Sequence, residues 1–311
     1  MTTDRLRVAV CGLGRMGRPI AGRIAGGGFP LTVWNRSPGP AESVAAEAGG
    51  RAAATPAEAV RDADVVVTML TDGPAVLAVL DGPDGVLAGL RPGAVVIDCS
   101  TTGAEYARQA AGLCRAAGVS FLDSPVSGST AVAERGELGL MVGGETDVLA
   151  GVRPVLERFG ATIVHVGPVG AGAAVKVAVN GLLHTFSTAL AESLVAAEAA
   201  GVPRTAFFDV LGGGVLANTF LGYKRAAFLD PDSAPVAFDL TTATKDLRLA
   251  VDASRAAHLP VSVLERTLQL HCQALEDGYG DKDMAAMTAW IADRAGDDPS
   301  GEPGGRTSEG Q

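Results

Sequence analysis

The first half of the chain alternates short apolar runs with longer alanine-rich segments. The apolar runs are of strand length, are rich in β-branched residues and are bounded by Gly, Pro or Asp: residues 6–11, 31–34, 64–70, 94–99, 119–122, 138–142 and 162–166. Runs of this kind are typical of buried strands, and the segments between them are long enough for helices. Their alternation predicts βαβ units, and therefore a parallel sheet with helices on both faces.

The pattern changes after Gly167, where the strand-like runs stop. Residues 171–200 lack proline and are rich in Ala, Leu and Val, which predicts one long helix of about 45 Å. Further helices are predicted at residues 205–211, 243–257, 261–277 and 283–294. We therefore expect an α/β domain at residues 1–167, joined by the long helix to an all-α domain at 168–295. The polar, Gly- and Pro-containing residues 296–311 are expected to form a disordered tail.

Composition narrows the class of protein. A chain of 311 residues with 47% hydrophobic and 19% charged residues and a mean hydropathy of +0.25 is too apolar for disorder and too interrupted by charge for a membrane protein. Its formal net charge of −10 argues against nucleic-acid and anionic-membrane partners. The four cysteines lack CxxC spacing and the first residues do not resemble a secretion signal, so we expect a cytoplasmic protein without a metal site.

A glycine-rich loop with the pattern GxGxxG lies between the first apolar run and the first helical segment. It comprises Gly12, Leu13, Gly14, Arg15, Met16 and Gly17. In such a loop the first glycine allows a tight turn, the second lets the backbone approach a pyrophosphate, and the third lets helix and strand pack closely. The helix amino terminus adds N–H donors and a partial positive charge. The loop therefore predicts a Rossmann-type dinucleotide-binding domain at residues 1–167.

The second apolar run is followed by Asn35, Arg36 and Ser37. A site that prefers NAD places an acidic residue here, about twenty residues beyond the loop, and this strand end has none. The Arg36 guanidinium can instead pair with a 2′-phosphate, and Asn35 and Ser37 add hydrogen-bonding groups. We therefore expect NADP as cofactor, with the use of both NADP and NAD as the alternative.

Three segments carry candidate chemistry for a substrate. Residues 123–129 follow a predicted strand and offer hydroxyls and turn amides suited to a carboxylate. The start of the long helix places Lys176 and Asn180 one helical turn apart. Residues 238–250 supply a second lysine, Lys245. An ammonium group can give a proton to a developing alkoxide, so these segments indicate a carbonyl reduction or its reverse.

Four motifs occur in order along the chain. They are the glycine loop, Ser100-Thr101-Thr102, the PVSGS of residues 125–129, and the GxGxxxKxxxN of residues 170–180 followed by KDLRLA at 245–250. Together they resemble the β-hydroxyacid dehydrogenase family over residues 6–294, and the pattern is most similar to the glyoxylate and succinic semialdehyde reductases. The resemblance implies hydride transfer between NADP(H) and a small semialdehyde or oxo acid, or a hydroxy acid such as 3-hydroxyisobutyrate.

The resemblance also implies roles for individual residues. Lys176 would be the general acid and base, and Asn180 would orient the substrate. The substrate carboxylate would be held by Ser127, Gly128 and Ser129. The cofactor pocket would be completed by Met69, Leu70, Thr101 and Lys245, of which the lysine also reaches the substrate.

Two other functions fit parts of this pattern. Imine reductases share the glycine loop and the WNR strand end, and a catalytically silent cofactor-binding module would share the whole scaffold. Both generally lack the lysine, so the presence of Lys176 disfavours them.

Two further expectations concern the long helix. His184 lies one turn beyond Asn180, where a lone histidine is interpreted as a packing or solvated residue. The helix is apolar on several faces, which a small helical domain would not cover alone, so we expect a homodimer or a homotetramer.

Overall fold

The computed structural model describes residues 6–296, and the chain divides into two compact units, Met1–Val179 and Asn180–Gln311. Apart from Gly296, the tail predicted to be disordered lies outside the described residues. The apolar pattern predicts a boundary after residue 167, whereas the division into units falls within the helix that follows. The reason is local: Ala173, in the first turn of that helix, is buried in the core of the first unit.

The first unit is built on a sheet that has nine strands within the described residues. Its elements are β1 (Val8–Cys11), α1 (Gly17–Gly26), β2 (Leu31–Trp34), α2 (Pro38–Ala48), β3 (Arg51–Ala52), α3 (Pro56–Val60), β4 (Val65–Thr68), α4 (Gly73–Asp81), α5 (Val86–Gly89), β5 (Val95–Asp98), α6 (Ala104–Ala116), β6 (Ser120–Asp123), β7 (Val126–Ser127), α7 (Thr130–Arg135), β8 (Leu138–Gly143), α8 (Thr146–Leu156) and β9 (Gly160–Gly167). The strand order is β3-β2-β1-β4-β5-β6-β8-β7, and β9 pairs with β8. The first six strands pair in parallel, which confirms the predicted Rossmann-type α/β domain.

The predicted parallel pairing is interrupted at one strand, β8. That strand runs antiparallel to both β6 and β7. The link from β7 to β8 passes only through the short helix α7, whereas a parallel crossover needs a dozen or more residues. The strands β3 and β7 are missing from the prediction because two residues are too few to form an apolar run.

The central strands are mostly apolar because both faces of the sheet are covered. Every residue of β1 and β4 is buried. Val8 and Val10 belong to one core cluster and Ala9 and Cys11 to the other, as expected for side chains that alternate along a strand. The parallel pairing brings the carboxyl ends of β1, β2, β4, β5 and β6 to one edge, where the segments with candidate chemistry begin.

The second unit is helical. Helix α9 (Ala171–Ala199) continues from the first unit and is followed by α10 (Arg204–Gly213), α11 (Thr219–Leu229), α12 (Leu240–Ala256), α13 (Ser262–Glu276), a 3-10 turn (Met284–Ala286) and α14 (Met287–Gly296). In the described part of this unit, strand pairing is limited to an isolated bridge between Asp239 and Asp283. Among residues 6–296, no helix combines the length and the apolar character needed to cross a membrane.

Helix α11 is absent from the sequence-based prediction. Its apolar residues are interrupted by Lys224, which obscures the helical period. The structure shows that Asn218 caps the helix by accepting a hydrogen bond from the Leu221 N–H at 3.0 Å. Phe220 and Phe228 are buried in the core of the second unit, so tertiary packing stabilises a helix that the local pattern does not reveal.

Candidate active site

The glycine loop makes a tight junction between β1 and α1. Gly12 has a φ of +99°, a conformation that favours glycine. A Cβ atom at Gly12 would overlap the carbonyl oxygen of Met69, and a Cβ atom at Gly17 would overlap that of Gly12. A Cβ atom at Gly14 would meet no atom within 4 Å, and the N-terminus of α1 has no side-chain cap. The open side of the loop therefore suits an anionic group at a helix N-terminus.

Asn35 supports this loop from the end of β2. Its Oδ1 accepts a hydrogen bond from the Leu13 N–H at 2.9 Å, and its Nδ2 donates to the Ser37 carbonyl at 3.1 Å. The amide is thus engaged within the protein, where the sequence suggests a direct contact with the cofactor. Arg36 and Ser37 are exposed in the same turn.

Asp98, at the end of β5, joins the two neighbouring loops. Its Oδ1 accepts hydrogen bonds from Thr68 Oγ1 at 2.8 Å and from Ser100 Oγ at 2.6 Å. Ser100 Oγ in turn accepts a hydrogen bond from the Leu70 N–H at 2.9 Å. Burial raises the pKa of Asp98, although the hydrogen bonds from Ser100 and Thr68 oppose the shift. This network fixes the Met69–Leu70 loop against the loop that contains Thr101.

The segment proposed to bind a carboxylate lies on β7 and the turn after it. Ser127 is exposed and pairs with Gly139 of β8. Gly128 has a φ of +138°, and a Cβ atom there would lie 2.8 Å from Leu138 Cδ2. Ser129 is half-buried and precedes α7. The turn thus presents the Ser127 hydroxyl together with backbone groups, and its backbone conformation at Gly128 favours glycine.

Lys176 is half-buried in the second turn of α9. The start of this helix is held by Asp123, the last residue of β6. The Asp123 carboxylate accepts hydrogen bonds from the Gly170 N–H at 2.7 Å and from the Ala173 N–H at 2.8 Å. The helix that carries Lys176 is therefore attached to the sheet at its amino terminus.

In the second unit, Asn180 and Lys245 meet at Asp246. Asn180 Nδ2 donates a hydrogen bond to Asp246 Oδ2 at 2.6 Å, and Lys245 Nζ lies 2.8 Å from Asp246 Oδ1. Burial opposes ionisation of Asp246, but the facing His184 imidazole and the Lys245 ammonium outweigh it, and the pKa of Asp246 lies below its usual value. Because the carboxylate can only accept, the Asn180 amide is oriented with its nitrogen toward Asp246.

His184 also belongs to this cluster. It is buried, its ring stacks on Phe238 with centroids 5.5 Å apart, and its Nε2 lies 3.8 Å from Asp246 Oδ2. The sequence leaves His184 as a packing or solvated residue. The structure shows a packing residue that faces a buried carboxylate.

The other two lysines serve different roles. Lys224 is buried and forms an ion pair with Asp283, with Nζ 2.6 Å from Oδ2. Lys282 pairs with Asp232 on the surface at 2.9 Å. Within residues 6–296, no three His, Cys, Asp or Glu side chains come together in a way that could hold a metal ion.

The predicted site residues thus form two groups. In the first unit the glycine loop contacts Met69 and Leu70 and is held by Asn35. Thr101 follows β5, the Ser127–Ser129 turn lies between β7 and α7, and Lys176 lies on α9. In the second unit Asn180 and Lys245 share one carboxylate. Sequence reasoning missed the supporting roles of Asp98, Ser100 and Asp123. The available pattern for Asp98 and Asp123 was an acidic last residue in an otherwise largely apolar strand.

Two family models match the chain. One, described as the NAD binding domain of 6-phosphogluconate dehydrogenase, matches residues 7–167. The other, described as the NAD-binding of NADP-dependent 3-hydroxyisobutyrate dehydrogenase, matches residues 170–291. Together they cover most of the chain.

Individual proteins agree with these models. The NAD-dependent L-serine dehydrogenase of Pseudomonas aeruginosa is 33% identical over 288 residues, which cover 90% of this chain and 96% of that protein. A structure of Mycobacterium tuberculosis 3-hydroxyisobutyrate dehydrogenase with L-serine aligns with a TM-score of 0.83 and 32% identity, covering 92% of this chain and 99% of that one. A 3-hydroxyisobutyrate dehydrogenase from Salmonella typhimurium aligns with a TM-score of 0.84 and 27% identity, with the same coverage. The chain therefore belongs to the 3-hydroxyisobutyrate dehydrogenase-like β-hydroxyacid dehydrogenase family of NAD(P)-dependent oxidoreductases that act on CH–OH groups.

Proposed function

We propose that the protein is an NADP-dependent dehydrogenase that interconverts a small carboxylate-bearing hydroxy acid and the corresponding semialdehyde or oxo acid. The observation that carries the proposal is Lys176, half-buried near the anchored start of α9, in the same unit as the glycine loop and the Ser127–Gly128 turn. A lysine in a chain that has only four of them, at the position of the family motif, favours catalysis over a surface role.

The residues at the glycine loop fit a dinucleotide. The open side of Gly14 leaves room for a pyrophosphate, and the uncapped N-terminus of α1 offers N–H donors. Arg36 is exposed at the end of β2, where it supports NADP because its guanidinium suits a 2′-phosphate; use of NAD is the alternative. When bound, the cofactor accepts or supplies a hydride.

Lys176 moves the proton. In reduction its ammonium donates a proton to the developing alkoxide and stabilises the negative charge; in oxidation the neutral amine accepts the hydroxyl proton. The Ser127 hydroxyl and the Gly128–Ser129 backbone hold the substrate carboxylate. Asn180 orients the substrate through its Oδ1, because Asp246 already accepts from its Nδ2. Lys245 adds positive charge for the cofactor and the substrate.

The substrate class follows from these groups and from the relatives. L-Serine, named with two of the similar proteins, is a short β-hydroxy acid with a carboxylate. Glyoxylate, succinic semialdehyde and 3-hydroxyisobutyrate also combine a carboxylate with a reacting carbonyl or hydroxyl group a few bonds away. We therefore propose a substrate of this size, with succinic semialdehyde as the first to assay.

We further propose that residues 168–295 form a substrate and oligomerisation domain, in a homodimer or homotetramer. On α9, Val175, Val179 and Leu182 are exposed, and their spacing places them on one helix face. Such a stripe supports contact with a second copy of the chain. The wide spacing of the cysteines supports a cytoplasmic location.

The function is tested by turnover of NADPH with succinic semialdehyde and with butanal, which lacks the carboxylate. We expect kcat/KM to fall by about 10-fold or more for butanal, because its contacts would lack the hydrogen bonds between a carboxylate and the turn at Ser127. Lys176→Ala should lower kcat by about 10²- to 10⁴-fold, and Lys176→Arg nearly as much because a guanidinium keeps its proton. Both variants should still bind NADPH.

Three outcomes would contradict the proposal. Unchanged kcat in Lys176→Ala would remove the lysine mechanism. Turnover of cyclic imines but not of semialdehydes would indicate an imine reductase. NADPH binding without turnover of either substrate class would indicate a silent cofactor-binding module.

A further inference from the structure

Asp123 uses both carboxylate oxygens to hold the start of α9. Oδ1 accepts from the Gly170 N–H at 2.7 Å and Oδ2 from the Ala173 N–H at 2.8 Å. The first N–H groups of a helix have no partner within the helix, and an anion there is favoured by the helix dipole. The Asp123 side chain is buried, so water is a poor substitute for it. The two hydrogen bonds therefore fix both the position and the direction of the first turn.

Two glycines make this close attachment possible. A Cβ atom at Gly143 would lie 2.6 Å from Asp123 Oδ1 and 2.9 Å from the Gly172 nitrogen. A Cβ atom at Gly172 would overlap the Met141 carbonyl oxygen. The start of α9 is thus pressed against the ends of β6 and β8, and a change at Asp123 shifts a junction that has no spare space.

The same strands carry the turn proposed to bind the substrate carboxylate. Asp123 pairs with Gly143 of β8, and Ser127 pairs with Gly139 of the same strand. Strand β8 therefore fixes Asp123 and Ser127 relative to each other. Lys176 follows Ala173 by three residues, which is about 4.5 Å along the helix axis.

We infer that Asp123 is a positioning residue, whose carboxylate sets the place of Lys176 relative to the Ser127–Gly128 turn. The inference rests on the proposed role of Lys176. It adds that one buried side chain, that of Asp123, holds Lys176 and the Ser127–Gly128 turn at fixed positions relative to each other. The titratable groups near this junction include Asp98, the register partner of Asp123 on β5, and Arg108 of α6, whose Nε would lie 3.3 Å from a Cβ atom at Gly170.

The first test is Asp123→Asn. The new amide keeps one acceptor oxygen, but its nitrogen cannot accept the second N–H, and the charge is lost. We expect kcat to fall by about 10- to 100-fold through misplacement of the proton donor. The dissociation constant of NADPH should stay within about twofold, because Asp123 holds Gly170 and Ala173 and not the glycine loop. The solvent deuterium isotope effect on kcat should rise as proton transfer becomes slower.

A matched control is a variant in which a helix cap elsewhere in the protein is removed. Thr55 caps α3 by accepting from the Glu58 N–H at 3.1 Å, and Thr55→Ala should lower stability while leaving kcat unchanged. All rates are expressed per NADPH-binding site, so that unfolded protein does not contribute. Asp123→Ser, which retains one acceptor oxygen, provides a second variant.

The decisive measurement is a double-mutant cycle with Lys176→Ala. If Asp123 acts through Lys176, Asp123→Asn should change kcat by less than about twofold in the Lys176→Ala background. An equal fold-loss in both backgrounds, or unchanged kcat in Asp123→Asn and Asp123→Ser alone, would overturn the inference. Failure of the proposed function is distinguishable, since Lys176→Ala by itself would then keep full activity.

Discussion

Asp98, Asp123 and Asp246 are only 1%, 1% and 2% exposed, yet each is held by donors from other parts of the chain. Burying a carboxylate is unfavourable unless hydrogen bonds or an opposite charge compensate for the lost water. Each residue meets this condition by joining segments that carry candidate site residues. Replacing one of these buried carboxylates by a neutral side chain should therefore displace the candidate site residues that it holds, while it changes the charge of the surface little.

Arg36 lends itself to a test of cofactor choice at the residue level. We expect the wild-type protein to prefer NADPH over NADH, and Arg36→Asp to reverse the preference, because the substitution removes the phosphate partner and adds a repulsive charge. The preference is measured as the ratio of kcat/KM for the two cofactors.

Arg266→Asp controls for the change in net charge, because Arg266 is exposed on α13 and donates only to Gln269 among the contacts that the structure shows for it. This variant should keep the wild-type ratio. Equal kcat/KM for NADPH and NADH in the wild type would contradict the role of Arg36.

His271 is a buried histidine with an assignable tautomer. The Thr188 hydroxyl donates to the His184 carbonyl at 3.0 Å, so it accepts from His271 Nε2 at 2.8 Å, and that nitrogen carries a proton. Burial, together with the nearby His184, lowers the pKa of His271 to about 3.

This shift predicts a loss of stability in acid. Below about pH 6.5 the unfolded chain binds a proton at His271 and the folded chain does not, so the free energy of unfolding falls as the pH drops from about 6.5 toward 3. Between about pH 6.5 and 5 the loss is ~2 kcal/mol. It is measured as denaturant unfolding of the wild type and of His271→Gln, which should lose less stability over this interval.

His258 supplies the control for that experiment. It is exposed and has a φ of 56°, which asparagine also adopts, so His258→Asn should keep the wild-type pH dependence. If His271→Gln and the wild type lose stability in parallel, the acid sensitivity belongs to other groups.

At the level of elements, the loop between β1 and α1 contains glycines that serve two different purposes. Gly17 lets the helix lie against the loop, because a Cβ atom would overlap the Gly12 carbonyl oxygen. Gly14 faces open space and does not require a left-handed backbone. The same motif therefore contains one position fixed by packing and one left open for a ligand.

An alanine substitution should affect stability at Gly17 but not at Gly14. Gly17→Ala should lower the melting temperature and weaken NADPH binding, because the backbone of the junction has to shift. Gly14→Ala should leave the melting temperature unchanged and still weaken NADPH binding, because the methyl group enters the space of the pyrophosphate. Binding is followed by the fluorescence of NADPH. Wild-type affinity in Gly14→Ala would contradict the placement of the pyrophosphate.

At the level of the whole molecule, the exposed stripe of α9 predicts association. We expect light scattering at about 10 µM to give the mass of a dimer or a tetramer. Leu182, which is 71% exposed, should contribute to the contact, so Leu182→Glu should shift the mass toward the monomer. Val164→Glu, at an exposed position of β9, is the control and should keep the assembly. A monomeric wild type would refute this prediction.

The sequence alone determined the features that depend on neighbouring residues. Continuous apolar runs identified the central strands β1 and β4, because every residue of both is buried, and the absence of proline identified α9. The glycine loop and the lysine motif are local as well, so the family and its candidate residues were predictable. The short strands β3 and β7 and the interrupted helix α11 were not, since they depend on packing partners elsewhere.

Only the tertiary structure decided how the candidate residues are held. Asp123 lies 47 residues from Gly170, and Asn180 lies 66 residues from Asp246. Hydrogen bonds over such distances leave no periodic pattern, because either partner alone reads as an ordinary polar residue. For the same reason the sequence indicates no partner for Lys224, while the fold shows it buried against Asp283, 59 residues away. Interactions between residues that are close in sequence determine the helices and strands and the side chains that each carries. Packing between distant segments determines which carboxylate accepts from which donor.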